Sequence, residues 1–108
     1  MQNWNLNETE VDRNHPQILD SQPEGRTILL EVPAGQQLQE HQVHERAWLV
    51  VVDGEIEVTS EDGGDVTGGP GLLVIFGPKE RHEVTARSDA RLLLILSPWP
   101  GEGHPRQT

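Results

Sequence analysis

Nowhere in this chain do apolar residues recur at helical spacing. They come instead in short runs: "RTILLEV" at 26–32, "AWLVVV" at 47–52, "EIEVT" at 55–59, "LLVIF" at 72–76, "HEVTA" at 82–86 and "RLLLILS" at 91–97. Between them stand turn formers: "PAGQ", the Asp-Gly pair at 53–54, "EDGGD", "GGPG" at 68–71, "GPKER" and "RSDA". Strands at this spacing predict an all-β sandwich or barrel. The run at 47–52 is almost wholly apolar and β-branched, which predicts burial on both faces. Asp53-Gly54 is a strong hairpin signal, because a tight turn of that kind needs positive φ. "EIEVT" alternates polar and apolar residues and predicts one wet face. Residues 1–25 are polar, interrupted by Pro16 and Pro23, and read as an extension, with "QIL" at 17–19 as a possible added strand. Residues 26–97 form the barrel, and 98–108 form a Pro/Gly-rich tail that is irregular or wraps the barrel. No sequence repeats internally, but the strand–turn rhythm occurs twice, over 29–59 and 72–97.

A chain of 108 residues makes one domain. Its apolar fraction of 33% gives a lean core, so a homodimer is expected to help stabilise it. A formal charge of -10 repels phosphate backbones and anionic lipid, which argues against nucleic acid or membrane partners. The absence of cysteine removes disulfides, thiolate nucleophiles and sulfur-held metals, so any metal must sit on imidazole or oxygen. The N-terminus has no apolar signal segment, and the apolar runs are too short to span a bilayer as helices. A soluble, cytoplasmic protein is the expectation. Serines 21, 60, 88 and 97 lie in or beside turns with no histidine motif around them. The glycine-rich turns do not precede helices, so a phosphate cradle is not expected. "DGEIE" lacks the spacing of a calcium loop.

Two glycine–histidine spacings resemble those of the cupin family. The family's first motif is G(x)5HxH(x)3-4E(x)6G, and Gly35, His41 and Gly54 stand at its spacing. The second is G(x)5PxG(x)2H(x)3N, and Gly71 and His82 match it. The family's second histidine falls on Val43 and its glutamate on Ala47. In the second motif the proline, glycine and asparagine positions hold Gly77, Lys79 and Ala86. The resemblance covers residues 26–97 and implies a double-stranded β-helix, the jelly-roll, cupin-type barrel.

Complete members of that family hold a divalent transition metal, such as Zn, Ni, Fe, Mn or Cu, with three histidines and a glutamate. The resemblance therefore makes His41 and His82 metal-ligand candidates at the barrel mouth, with His44 the third. Strand parity points His44 away from His41 unless a bulge near residue 43 shifts the register. Glu45 shares the His41 face in an unbroken strand and could replace the missing carboxylate, but it reads more naturally as a surface residue. His104 is a remote fourth candidate if the tail folds over the mouth. Otherwise it reads as surface, like His15. Trp48 suits packing between two sheets or at a dimer contact, Trp99 suits capping a hydrophobic opening, and Ile75 and Phe76 read as core. Two functional expectations follow. One is a cupin binding a divalent metal through these histidines, its activity and substrate undetermined. The other is a metal-free cupin module, small-molecule-binding or sensory, without catalysis; the apolar residues at 43 and 47 suit a greasier pocket. A third reading, a dimer built for protein interaction, rests on the short apolar strands and their exposed edges.

Overall fold

The computed structural model describes residues 1–13, 15–42, 44–61 and 64–104, the side chains of 39–42 excepted. Nine strands carry the described chain: β1 (Gln17–Gln22), β2 (Gly25–Val32), β3 (Gln37–Gln42), β4 (Arg46–Asp53), β5 (Ile56–Ser60), β6 (Asp65–Gly68), β7 (Leu73–Phe76), β8 (Arg81–Ala86) and β9 (Ala90–Ser97). They form a five-stranded sheet, ordered β1-β2-β9-β4-β7, and a four-stranded sheet, ordered β3-β8-β5-β6. All ladders are antiparallel. Two antiparallel sheets facing one another across a shared core make a jelly roll, the double-stranded β-helix expected from the sequence. No helix among the described residues is long and apolar enough to cross a membrane.

Alternation decides which residues enter the core. Along β4, Ala47, Leu49 and Val51 are buried and join Ile56 and Val58 of β5, Phe76, Val84 and Leu92. The "EIEVT" segment behaves as its pattern predicts, with Ile56 and Val58 inward. The run at 47–52 does not bury both faces. Trp48 and Val50 lie on the outer side of the sheet and are only half-buried, so Trp48 does not pack between the sheets. Beside them on β7 stand Leu73 and Ile75, 52% and 48% exposed. Ile75 is thus an outer-face residue and not core, whereas Phe76, one position on, is 2% exposed.

Asp53-Gly54 turns the chain tightly but does not make a hairpin. β4 pairs with β7 and β9, and β5 pairs with β6 and β8, so the turn is a corner that carries the chain from one sheet to the other. Gly54 adopts φ 81, and a Cβ there would stand 2.2 Å from the Asp89 carbonyl oxygen. Glycine is needed twice over, for its backbone angle and for this close approach to the β8–β9 turn. Positive φ also occurs at a residue other than glycine: Lys79, where the second motif has its inner glycine, has φ 67.

The N-terminal extension is fastened rather than loose. β1 adds a strand to the sheet. Arg91, 16% exposed, donates to the Leu6 carbonyl at 2.8 Å and pairs with Glu31 at 2.6 Å. The tail is held too: the Trp99 amide donates to the Pro23 carbonyl, the Arg26 guanidinium lies 4.0 Å over the indole, and Trp99 packs against the core cluster.

Candidate functional site

One end of the barrel gathers the first residues of β4 and β8 and the last residues of β7 and β9. Arg46 opposes Ser97, and Ala47 opposes both Leu96 and Phe76. Phe76 stacks flat on the His82 ring, centroids 3.7 Å apart. His82 is 5% exposed, and its Nδ1 lies 3.1 Å from the Glu80 carbonyl oxygen. A carbonyl only accepts, so this contact requires the proton on Nδ1 and fixes the ring's tautomer and orientation.

Glu80 links the sheets at this point. Its carboxylate accepts a hydrogen bond from the Ser60 hydroxyl on β5 and another, at 3.0 Å, from the Gly77 amide. The Ser60 donor, the Gly77 amide and the nearby His82 ring hold its carboxyl below the ordinary value, against a smaller opposing effect of burial.

Beneath His82 lies a cavity of about 190 Å³, walled by residues that include Ile28, Leu30, Leu49, Phe76, Val84 and Leu94. His82 is the only polar side chain among its described lining residues. Ala47, at the family's glutamate position, lines the same cavity with a methyl group. On its other side His82 borders a polar cleft with Thr59, Ser60, Glu61, Arg81 and Glu83.

The backbone brings His41 and His82 together. β3 and β8 pair Leu38 with Val84 and then His41 with His82. An unbroken ladder would have put residue 40 opposite His82. One extra residue in β3 between 38 and 41, a bulge, moves His41 into that place. The sequence put a bulge near 43, the position of the family's second histidine; residue 43 and the side chain of His41 lie outside the described residues.

His44 and Glu45 follow neither strand, since β3 ends at Gln42 and β4 begins at Arg46. The parity argument therefore does not apply to them. The ring neighbour of His44 is His104 of the tail, centroids 5.7 Å apart. Glu45 is not the surface carboxylate its type suggests: it is 1% exposed, and its Oε2 accepts the Gly101 amide at 2.7 Å and faces the His104 Nδ1 at 2.8 Å. His104 is likewise no free surface residue. It is 27% exposed, with the Trp99 ring 4.7 Å away. The tail does this: Gly101 passes so near that a Cβ would stand 2.6 Å from the His44 carbonyl oxygen. His15 is exposed, as expected, beside Asp12. As they stand, no three His, Asp or Glu side chains among the described residues close around a common point.

This arrangement of sheets defines a β-barrel with a small, mostly apolar cavity at one end. The chain belongs to the cupin family, whose Cupin domain model matches residues 28–97. Among solved structures it is similar to an RmlC-like cupin protein from Desulfovibrio desulfuricans, with 21% identity, a TM-score of 0.78 and coverage of 91% of this chain and 97% of that one. It is also similar to a cupin superfamily protein from Desulfitobacterium hafniense (14% identity, TM-score 0.75, 85% of each chain). KdgF from a Halomonas species is a third such structure, at 22% identity and TM-score 0.70, covering 77% of this chain and 78% of that one. Similarity at these identities speaks for the fold. No curated protein matches the chain.

Proposed function

We propose that this cupin binds a compact, mostly apolar organic molecule inside the barrel, with His82 as its polar contact. The observation that carries this reading is the cavity of about 190 Å³ whose described lining is apolar except for one imidazole. An apolar cavity of roughly 150 Å³ accommodates benzene, so this one suits a single aromatic ring or a short branched chain. Apolar walls supply the affinity and a single fixed polar group orients the ligand. His82 is suited to that role because Phe76 and the Glu80 carbonyl hold its ring in place. Ala47→Leu fills the cavity from a position that already faces it. Phenol, toluene and isobutyric acid are suitable probes. At least one should raise the melting temperature of the parent protein and leave that of Ala47→Leu unmoved. No shift in the parent, or equal shifts in both proteins, would sink the reading.

A second reading keeps a divalent metal on His41 and His82, and the bulge-shifted register that sets the two positions opposite each other favours it. A metal there would polarise an oxygen-bearing ligand as a Lewis acid. The chain supplies two of the family's four ligands at their places, with Val43 and Ala47 at the others. Either ligand sits in a homodimer in our reading, the outer face around Trp48, Leu73 and Ile75 meeting its copy.

A further inference from the structure

The cavity beneath His82 has a thin wall at one point. Its described lining residues are buried or half-buried, with one exception, the exposed Pro16. A residue with the cavity on one side and solvent on the other is the whole thickness of the wall there. Pro16 lies just outside β1, and Gln17 and Ile18 begin that strand. β1 is an edge strand, paired with β2. Gln17 stands opposite Leu29 and Ile18 opposite Ile28, and the register then shifts before Asp20. This bulge divides the ladder into two pairs beside Pro16 and three more from Asp20 to Gln22. Ile28 lines the cavity. Partners across an antiparallel ladder share a face of the sheet, so Ile18 stands at the cavity rim. It is 46% exposed, an apolar side chain left in water beside an apolar opening.

Ahead of Pro16 the chain is anchored at Arg91, which donates to the Leu6 and Thr9 carbonyls and pairs with Glu31 at 2.6 Å. Arg13 adds only light ties. It is 61% exposed and meets Glu31 at 3.9 Å and Asp89 at 3.6 Å, and exposed pairs of that kind contribute little. We propose that Pro16, Gln17 and Ile18 form a gate that swings out about the bulge to admit a ligand to the cavity, and that Arg91 restrains it by holding the chain ahead of it. Short edge segments with few pairs open locally at the least cost. The gate rests on the cavity-binding reading for its purpose, but its motion is measured without a ligand.

The chain has no cysteine, so Ala47→Cys puts a single thiol in the cavity wall, at a position 1% exposed. Methyl methanethiosulfonate, a small neutral reagent, labels it when the gate opens. In the full chain carrying this substitution, the labelling rate should stay level through low urea, because a local opening exposes little surface. Adding Ile18→Gly, which strips the rim and loosens the two pairs, or Arg91→Met, which frees the anchor, should raise the rate at least about tenfold. Adding Arg87→Ala, which breaks an exposed ion pair with Glu57 on the four-stranded sheet, should leave it unchanged. A rate that follows global unfolding from the first addition of urea, or one that neither gate variant raises, overturns the gate. If labelling behaves as expected while phenol, toluene and isobutyric acid give no melting shift, the gate stands and the cavity-binding reading falls.

Discussion

Glu80 shows how one side chain can hold a site in shape without touching a ligand. Its carboxylate collects the Ser60 hydroxyl from β5 and the Gly77 amide from the turn before β8, while its carbonyl takes the His82 ring. The ionised form is favoured in the folded protein, first by the Ser60 donor and then by the Gly77 amide, so the carboxyl is held below its ordinary value of 4.5. A group depressed in this way stabilises the fold fully above that ordinary value, and the contribution is lost as pH falls through the lower, folded value. Glu80→Gln should therefore melt below the parent at neutral pH, and the gap should close on acidification below 4.5. Thermal melts from about pH 7 down to about pH 3 measure it. A gap independent of pH would assign the effect to shape alone.

Strands and their connections show where the sequence was legible. Runs of β-branched and leucine residues bounded by glycine, proline and aspartate marked β2, β4, β5, β7, β8 and β9, because those signals are local. The Asp53-Gly54 corner carries a hairpin's signature for a physical reason: positive φ is needed whether the chain doubles back in one sheet or crosses to the other. The two choices differ only in what lies opposite, here Asp89 and Ala90, far along the chain. The site was legible in the same proportion. Glycine spacing marked His82 and its partner position 41, but nothing near Glu45 announces that Gly101, 56 residues on, will bury it. Gly54→Ala tests the corner. A methyl group 2.2 Å from the Asp89 carbonyl and 2.7 Å from the Ala90 Cα forces both sheets to shift at their junction. The expected cost is about 3 kcal/mol, read as a lower urea midpoint.

At the scale of the whole molecule, the outer side of the five-stranded sheet is its least finished surface. Leu73 and Ile75 lie on β7, an edge strand, next to the half-buried Trp48 and Val50 of β4. An apolar edge of this kind invites pairing, and charge on it opposes pairing. Size-exclusion chromatography with light scattering should give twice the chain mass for the parent, and the single chain mass for Leu73→Lys combined with Ile75→Lys. A monomeric parent would remove the second copy from the reading, leaving the barrel cavity as it is.

The order of strands has a further consequence, for birth rather than for binding. β9, the last of the nine described strands, runs between β2 and β4 at the centre of its sheet. During synthesis, both of its neighbours must wait with their edges open until Ala90–Ser97 leaves the ribosome. The exposed intermediate is then a half-barrel with a missing centre, and a chaperone has most to do in that interval.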